Sequence, residues 1–166
     1  MNDEAVPKHL TAAARIHQAT APPPRRLVRL DRAEALRLLG SVQLGRVVFT
    51  QGALPVIRPI NHVLDHNAII IGTHLGAAIA TAAHSGIVVA YEADDLDPAT
   101  HQGWSVTVTG LAQPVTDPHD LARYQQHLHP WIDRPMDQAI RISADLVTGF
   151  TLVPDPALPP TATADS

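Results

Sequence analysis

Cysteine is absent from this chain of 166 residues, which excludes disulfides, thiol catalysis and iron–sulfur ligation. No apolar run approaches the about 18–20 residues that a membrane-crossing helix needs, so no membrane association is expected. No basic stretch followed by an apolar core opens the sequence, and no secretory signal is read there. Basic runs are lacking beyond Arg25-Arg26, and with a formal net charge of −4 nucleic acid is not an expected partner. P-loop motifs, zincin motifs and internal repeats are missing as well. What remains is enough chain for one domain with a sizeable core, 45% apolar, with a cytoplasmic location as the default expectation.

The chain is organised around residues 54–79. Two β-rich runs flank Asp65-His66-Asn67, where Asp and Asn satisfy tight turn geometry with their own side chains, so a hairpin is predicted. Gly72-Thr73 ends the second strand, and Leu75 to Ala83 reads as a helix. A strand that runs into a helix through Thr73-His74-Leu75-Gly76 aims backbone N–H groups and the positive end of the helix dipole at one spot, a seat for an anion. In the first strand Arg58 precedes Pro59. Proline has no N–H to give a ladder, which places this strand at an edge, at a bulge or beside a ligand. A lone arginine is more often a satisfied surface residue, but next to an anion seat Arg58 becomes a ligand candidate.

Around this centre the punctuation is regular. Pro22-Pro23-Pro24 sets off residues 1–26, read as a mobile N-terminal arm, with docking on a partner subunit as the alternative. Asp31-Arg32-Ala33-Glu34 is a capping-box pattern ahead of a helix that Gly40 closes. Gln43 to Thr50 is a strand, and Gln51-Gly52-Ala53 turns it into the central one. Gly86 to Ala93 is a buried-type strand ending in Asp94, Asp95 and Asp97; a solvated turn fixed by Pro98 outweighs a cation site there. Gly103 to Pro114 alternates strictly, with Ser105, Thr107 and Thr109 on one face and Trp104, Val106 and Val108 on the other. Asp117-Pro118 opens a helix to about Leu128, and Leu146 to Val153 is a last strand. Residues 154–166, rich in Pro and Ala, are read as a disordered tail. The ten histidines are scattered; His127 and His129 do not share a helix face, so no metal site is expected, and only His62 and His74 flank the centre.

Three stretches in order, Arg58-Pro59-Ile60-Asn61, Thr73-His74-Leu75-Gly76 and Gly103-Trp104-Ser105-Val106-Thr107-Val108-Thr109-Gly110, resemble the flavin-binding split β-barrel proteins grouped around pyridoxamine 5′-phosphate oxidase. The resemblance spans residues 27–153 and implies a mainly β split barrel with flanking helices, a cofactor in a cleft between two barrels of a homodimer, and a small-molecule substrate. It implies flavin contacts from Arg58, Pro59, Ile60 and Asn61 on the lining strand and from Thr73, Leu75, Gly76, Ala77 and Ala78 at the phosphate loop. It implies further contacts from Trp104 and Ser105, Ser105 at the ring edge, and an aromatic at Pro130-Trp131 closing over the cofactor.

The departures bear on chemistry. After the loop glycine the family carries a serine and one or two basic residues; here stands Ala77-Ala78-Ile79. Each lost charged hydrogen bond is worth about 1.5–3 kcal/mol. Gly149-Phe150 replaces a common Gly-Arg pair. Flavin mononucleotide (FMN), a deazaflavin coenzyme or no cofactor therefore all remain open. For a bound ring, Arg58 and the loop would hold the phosphate, Asn61 and Ser105 the ring edge, and Val56, Ile60 and Trp104 the floor. Simple alternation turns Arg58 and Asn61 to opposite sides unless Pro59 makes a bulge. No residue stands out as an acid–base catalyst, which suits flavin chemistry because the ring carries the hydride. Nothing beyond the fold points to pyridoxamine phosphate as substrate. The expectation is a flavin- or deazaflavin-dependent oxidoreductase, the alternative a cofactor-binding or cofactor-less module in storage or regulation.

Overall fold

In the computed structural model, which describes residues 24–74, 77–128 and 136–155, two-residue turns set the central hairpins. Strand β2 (Leu44–Gln51) returns as β3 (Leu54–Asp65) through Gly52 and Ala53, both at positive φ (55° and 64°). That geometry matches the right-handed twist of the strands it joins. Strand β3 returns as β4 (Ala68–Thr73) through His66-Asn67. The remaining strands are β1 (Arg25–Arg29), β5 (Ile87–Asp97), β6 (Gln102–Pro114), β7 (Gln138–Ser143) and β8 (Leu146–Pro154). Six of them close in the order β6-β5-β2-β3-β4-β7 and back to β6, while β8 and β1 continue outward from β6. The expected split β-barrel is therefore the fold.

The split lies in β6. Its Gly103–Thr109 half pairs with β8, and its Ala112–Pro114 end pairs on the same edge with β7. At the changeover a Cβ on Gly110 would lie 1.7 Å from the Ser143 carbonyl oxygen, so the crossing needs glycine. Inside the ring, Val47, Ile69, Ile71, Tyr91, Val106, Val108, Ile140 and Ile142 are fully buried. Helix α1 (Arg32–Leu39) adds Ala35, Leu36 and Leu39 to this core, and α2 (Ala78–His84) adds Ile79 and Ala83. Helix α3 (Pro118–His127) buries Tyr124 in a second cluster with Ile70, Leu128 and Ala139.

Several local expectations are revised. Asp31 caps α1 by accepting from Glu34 N at 2.8 Å, but the Glu34 carboxylate engages Arg37 instead of returning to the cap. Strand β1 already includes Arg25 and Arg26, which pair with Pro154 and Val153, so the ordered domain begins before residue 27. Strand β5 runs through Asp94 and Asp95 to Asp97, and the turn follows it; Asp97 holds that turn by accepting from Ala99 N and Thr100 Oγ1. Strand β7 was not anticipated. The expected arm before Pro24, the tail after Asp155 and Pro130-Trp131 lie outside the described residues.

A polar knot ties the tip of the β3–β4 hairpin to α3 and β7. Asp65 Oδ2 accepts from the Tyr124 hydroxyl and from Arg123 Nη2 at 3.1 Å, and Oδ1 pairs with His66 Nδ1 at 2.7 Å. Arg141 Nη2 donates to the Tyr124 oxygen at 2.6 Å. The Tyr124 hydrogen bond above all, then His66 and Arg123, hold the Asp65 carboxyl far below the usual carboxylate range. With the folded pKa depressed, this stabilisation is fully present above the unfolded value and is lost as pH falls below it. Tyr124→Phe should cost about 1.5–3 kcal/mol in urea unfolding at neutral pH, and the gap from wild type should narrow below about pH 4. A gap of equal size at pH 7 and pH 3 would show that the Asp65 charge is not what the hydroxyl stabilises.

Candidate functional site

The β3–β4 ladder ends at the pair His62↔Ile71. Beyond it the two strands part: β3 stays with β2, and β4 stays with β7. Residues 54–61 consequently have a strand on one edge only. The register of β2 and β3 is unbroken from Leu44↔Asn61 to Gln51↔Leu54, so of the placements read for Pro59 the bulge does not form and the open edge does. His62 N–H donates to Gln43 O at 2.9 Å, which fixes the alternation: residues 55, 57, 59 and 61 turn their backbone groups to the open edge. Two of these four are prolines, which have no N–H and so suit an edge that must not recruit another strand.

A cavity of about 770 Å³ fills the fork, inside the about 300–1,000 Å³ range of small-molecule sites. One side is Arg58–Asn61 of β3, the other Gly72-Thr73-His74 and Ala77-Ala78-Ile79 at the start of α2. Leu44, Val47 and Phe49 of β2 form an apolar floor, with Gln51 at its end, and Leu128 and Met136 form a second apolar wall. Gly72 makes that wall possible, since a Cβ there would lie 1.9 Å from Met136 Sδ. Arg58 and Ile60 share the inward face with Val47 and Phe49, while Pro59 and Asn61 face outward. The cavity takes side chains from both faces because it wraps the open edge.

Arg58 is exposed at the cavity, its Nη1 donating to Ile57 O at 2.9 Å, and among the described residues it has no carboxylate partner. His62, by contrast, is a fastener. It is 3% exposed, with Nε2 3.0 Å from Leu39 O and Nδ1 2.8 Å from the Tyr91 hydroxyl. A carbonyl only accepts, so Nε2 carries a proton; burial lowers the His62 pKa and keeps the ring neutral. The Tyr91 hydroxyl also lies 2.9 Å from Ile60 O, and this set pins the lining strand to α1 and β5.

A family model described as pyridoxamine 5′-phosphate oxidase matches residues 31–154. The chain belongs to this family. Rv0080 of Mycobacterium tuberculosis (strain ATCC 25618 / H37Rv), described as uncharacterized, is 52% identical over 139 residues, 81% of this chain and 91% of that one. The structure of the FAD-binding protein of Mycobacterium smegmatis is similar at 31% identity and a TM-score of 0.59, over 76% of this chain and 98% of that chain. A FAD-binding protein of Mesorhizobium loti superposes with a TM-score of 0.65 over 78% and 99%; at 16% identity the likeness is one of fold.

The residues that the family resemblance singled out fall into three groups. Arg58, Pro59, Ile60, Asn61, Thr73, Ala77 and Ala78 all border the fork. Leu75 and Gly76 lie outside the described residues. Trp104 instead packs in the barrel core at 8% exposure, and Ser105 sits on the outer side of the sheet, donating to Glu92 Oε1 at 3.2 Å. Helix α2 begins at Ala78 rather than Leu75 and is seven residues long, with no side-chain cap from Ala77. Its dipole is short and Arg58 is left as the charged group on the wall. Sequence reasoning missed Val47, Phe49, Ile79, Leu128 and Met136. The alternation of β2 held a signal for Val47 and Phe49; none marked Leu128 and Met136, which only the fold brings to Gly72.

Proposed function

We propose that this member of the pyridoxamine 5′-phosphate oxidase family binds a flavin coenzyme in the β3–β4 fork, as a homodimer, and acts as an oxidoreductase on a small molecule. The observation that carries the reading is the fork itself: an apolar cavity of about 770 Å³ along an open strand edge, with a cation, Arg58, that has no carboxylate partner among the described residues. The residues fit the group. Ile60, Ala77, Ala78 and Met136 are the apolar lining residues with accessible surface to offer a flat ring, the open edge of β3 offers backbone groups to the ring's polar rim, and Arg58 offers charge to a phosphate. When bound, the flavin supplies hydride and electron transfer. The chain's own part is to hold the ring, keep water from its apolar face and present one side to a substrate. FMN is the smallest phosphorylated flavin for this cavity; a deazaflavin would use the same apolar walls.

The outward side of the sheet supports the pairing of two copies. Leu27, Ile57, Val88, Leu96, Leu146 and Phe150 are all exposed there, with Val88 at 68% and Leu27 at 61%. Six large apolar side chains on one side of a sheet call for a cover. Ser105 shares that side, so it would meet a flavin only across the interface, from the second copy.

Sedimentation should show a species of twice 17.8 kDa at micromolar concentration; a monomer alone would remove the homodimer from the proposal. Flavin binding is read by fluorescence quenching on titration with FMN and with riboflavin, which lacks the phosphate. Arg58→Ala should weaken FMN by about tenfold or more, the scale of a charged hydrogen bond, and leave riboflavin nearly unchanged. Equal losses for both ligands, or none, would mean that Arg58 holds no phosphate, and no binding of either would overturn the flavin reading.

A further inference from the structure

The ionisable groups that border the fork are Arg58 and His74, and among the described residues no Asp or Glu lines it. A guanidinium is a cation, and an imidazole becomes one by taking a proton. A cleft lined by groups of one sign concentrates its field on a ligand of the other. An amine brought here would lose water and meet no carboxylate, which is unfavourable. The lining therefore selects for anions. Arg58 answers to one of them, the flavin phosphate, and His74 remains.

The His74 ring differs from the others. His62, His66, His84 and His127 each have a ring nitrogen within 3.0 Å of a partner, and His101 and His119 are exposed to water. His74 is half-buried on the cavity wall, and its ring has no hydrogen-bond partner among the described residues. Polar groups withdrawn from water are as a rule partnered, so this ring points to a ligand. The β3–β4 register, counted on past its end at His62↔Ile71, sets Thr73 opposite Ile60 and His74 opposite Pro59. Ile60 shares the inward face with Arg58, and Pro59 has the other. The two cation-forming groups thus belong to opposite faces of the fork. On the side of β4 that His74 continues, Gly72 backs onto Met136 and α3 covers Ile70. None of the exposed apolar residues assigned above to the pairing of two copies is on β4 or α3.

We propose that beside the flavin the fork takes a small apolar carboxylate as substrate, its carboxylate accepting a hydrogen bond from the His74 ring and its apolar body lying on the half-buried Met136. This rests on the flavin reading above and adds to it the class of the substrate. An imidazole N–H donates to a carboxylate whether the ring is neutral or charged. A hydrogen bond to an ionised acceptor is roughly twice as strong as one between neutral groups, so a carboxylate is preferred to an amide of the same shape. Amines are excluded by the same lining.

The test titrates benzoate, benzamide and benzylamine into the protein loaded with FMN, read by the shift of the flavin absorption spectrum. Benzoate should bind about tenfold more tightly than benzamide, the scale of one charged hydrogen bond, and benzylamine should give no shift. His74→Ala should bring benzoate down to the affinity of benzamide and change that of FMN by less than twofold. Equal affinities of benzoate and benzamide for wild type, a shift with benzylamine as large as with benzoate, or benzoate binding unchanged by His74→Ala would overturn the carboxylate site and leave the flavin site in place. Release of FMN by benzoate would put the anion at Arg58 and overturn it too. Failure of FMN to bind at all would instead sink the reading on which it rests. The thermal midpoint checks that the variant folds. Should His74→Ala lose its fold, His74→Gln, close in size and without charge, should make benzoate and benzamide equal, and a surviving preference for benzoate would contradict the proposal.

Discussion

The parting of β3 from β4 after His62↔Ile71 is the constraint on which the rest of this molecule depends. A strand inside a closed barrel normally spends its backbone groups on two neighbours. Here residues 54–61 have one, and a cost of that kind persists only where something else satisfies or protects the edge. Prolines at 55 and 59 remove two N–H groups from it, and the unbroken register with β2 keeps the strand straight. The fork that results sets its cavity directly against the barrel core, where Val47 and Phe49 are buried beneath it.

Two fasteners hold the fork open. At its closed end the Asp65–Tyr124–Arg123–Arg141 knot anchors the hairpin tip to α3 and β7, and so places Leu128 at the end of α3 against Gly72. Along its side, His62 and Tyr91 fix the lining strand to α1 and β5, and Gly45 is needed there because a Cβ would lie 2.5 Å from the Tyr91 oxygen. Charge is divided to match. Arg46 is neutralised by Glu92 and Asp94 on the outer side, whereas Arg58, in the fork, has no carboxylate partner among the described residues.

Much of this was legible in the sequence, and the illegible parts have physical causes. The hairpins at Gly52-Ala53 and His66-Asn67 were readable because two-residue turns need residues that accept positive φ. Helices α1 and α3 announced themselves through Asp31 and Asp117, whose side chains do cap them. Strand β1 was hidden because three of its five residues are arginines, which suit an edge and look like a linker. Strand β7 was hidden because Ala139 and Ile140 are both buried, one in each apolar cluster, so no alternation shows. The acidic end of β5 looked like a turn since carboxylates are rare in strands; Arg46 across the ladder is what retains Asp94 there. Arg58 to Asn61, singled out through proline chemistry and family resemblance, border the fork cavity. Trp104 packs in the core and does not line the cavity: alternation tells which residues share a face and not which cavity that face borders.

The most direct test of the central claim, that the fork between β3 and β4 is a flavin site, is a crystal structure of the protein grown with riboflavin, which needs no phosphate contact to bind. The ring should lie between residues 58–61 on one side and 72–74 on the other, over Phe49, with its polar rim toward the open edge of β3. A ring bound elsewhere, or a fork left empty beside a flavin seated at another surface, would contradict the account.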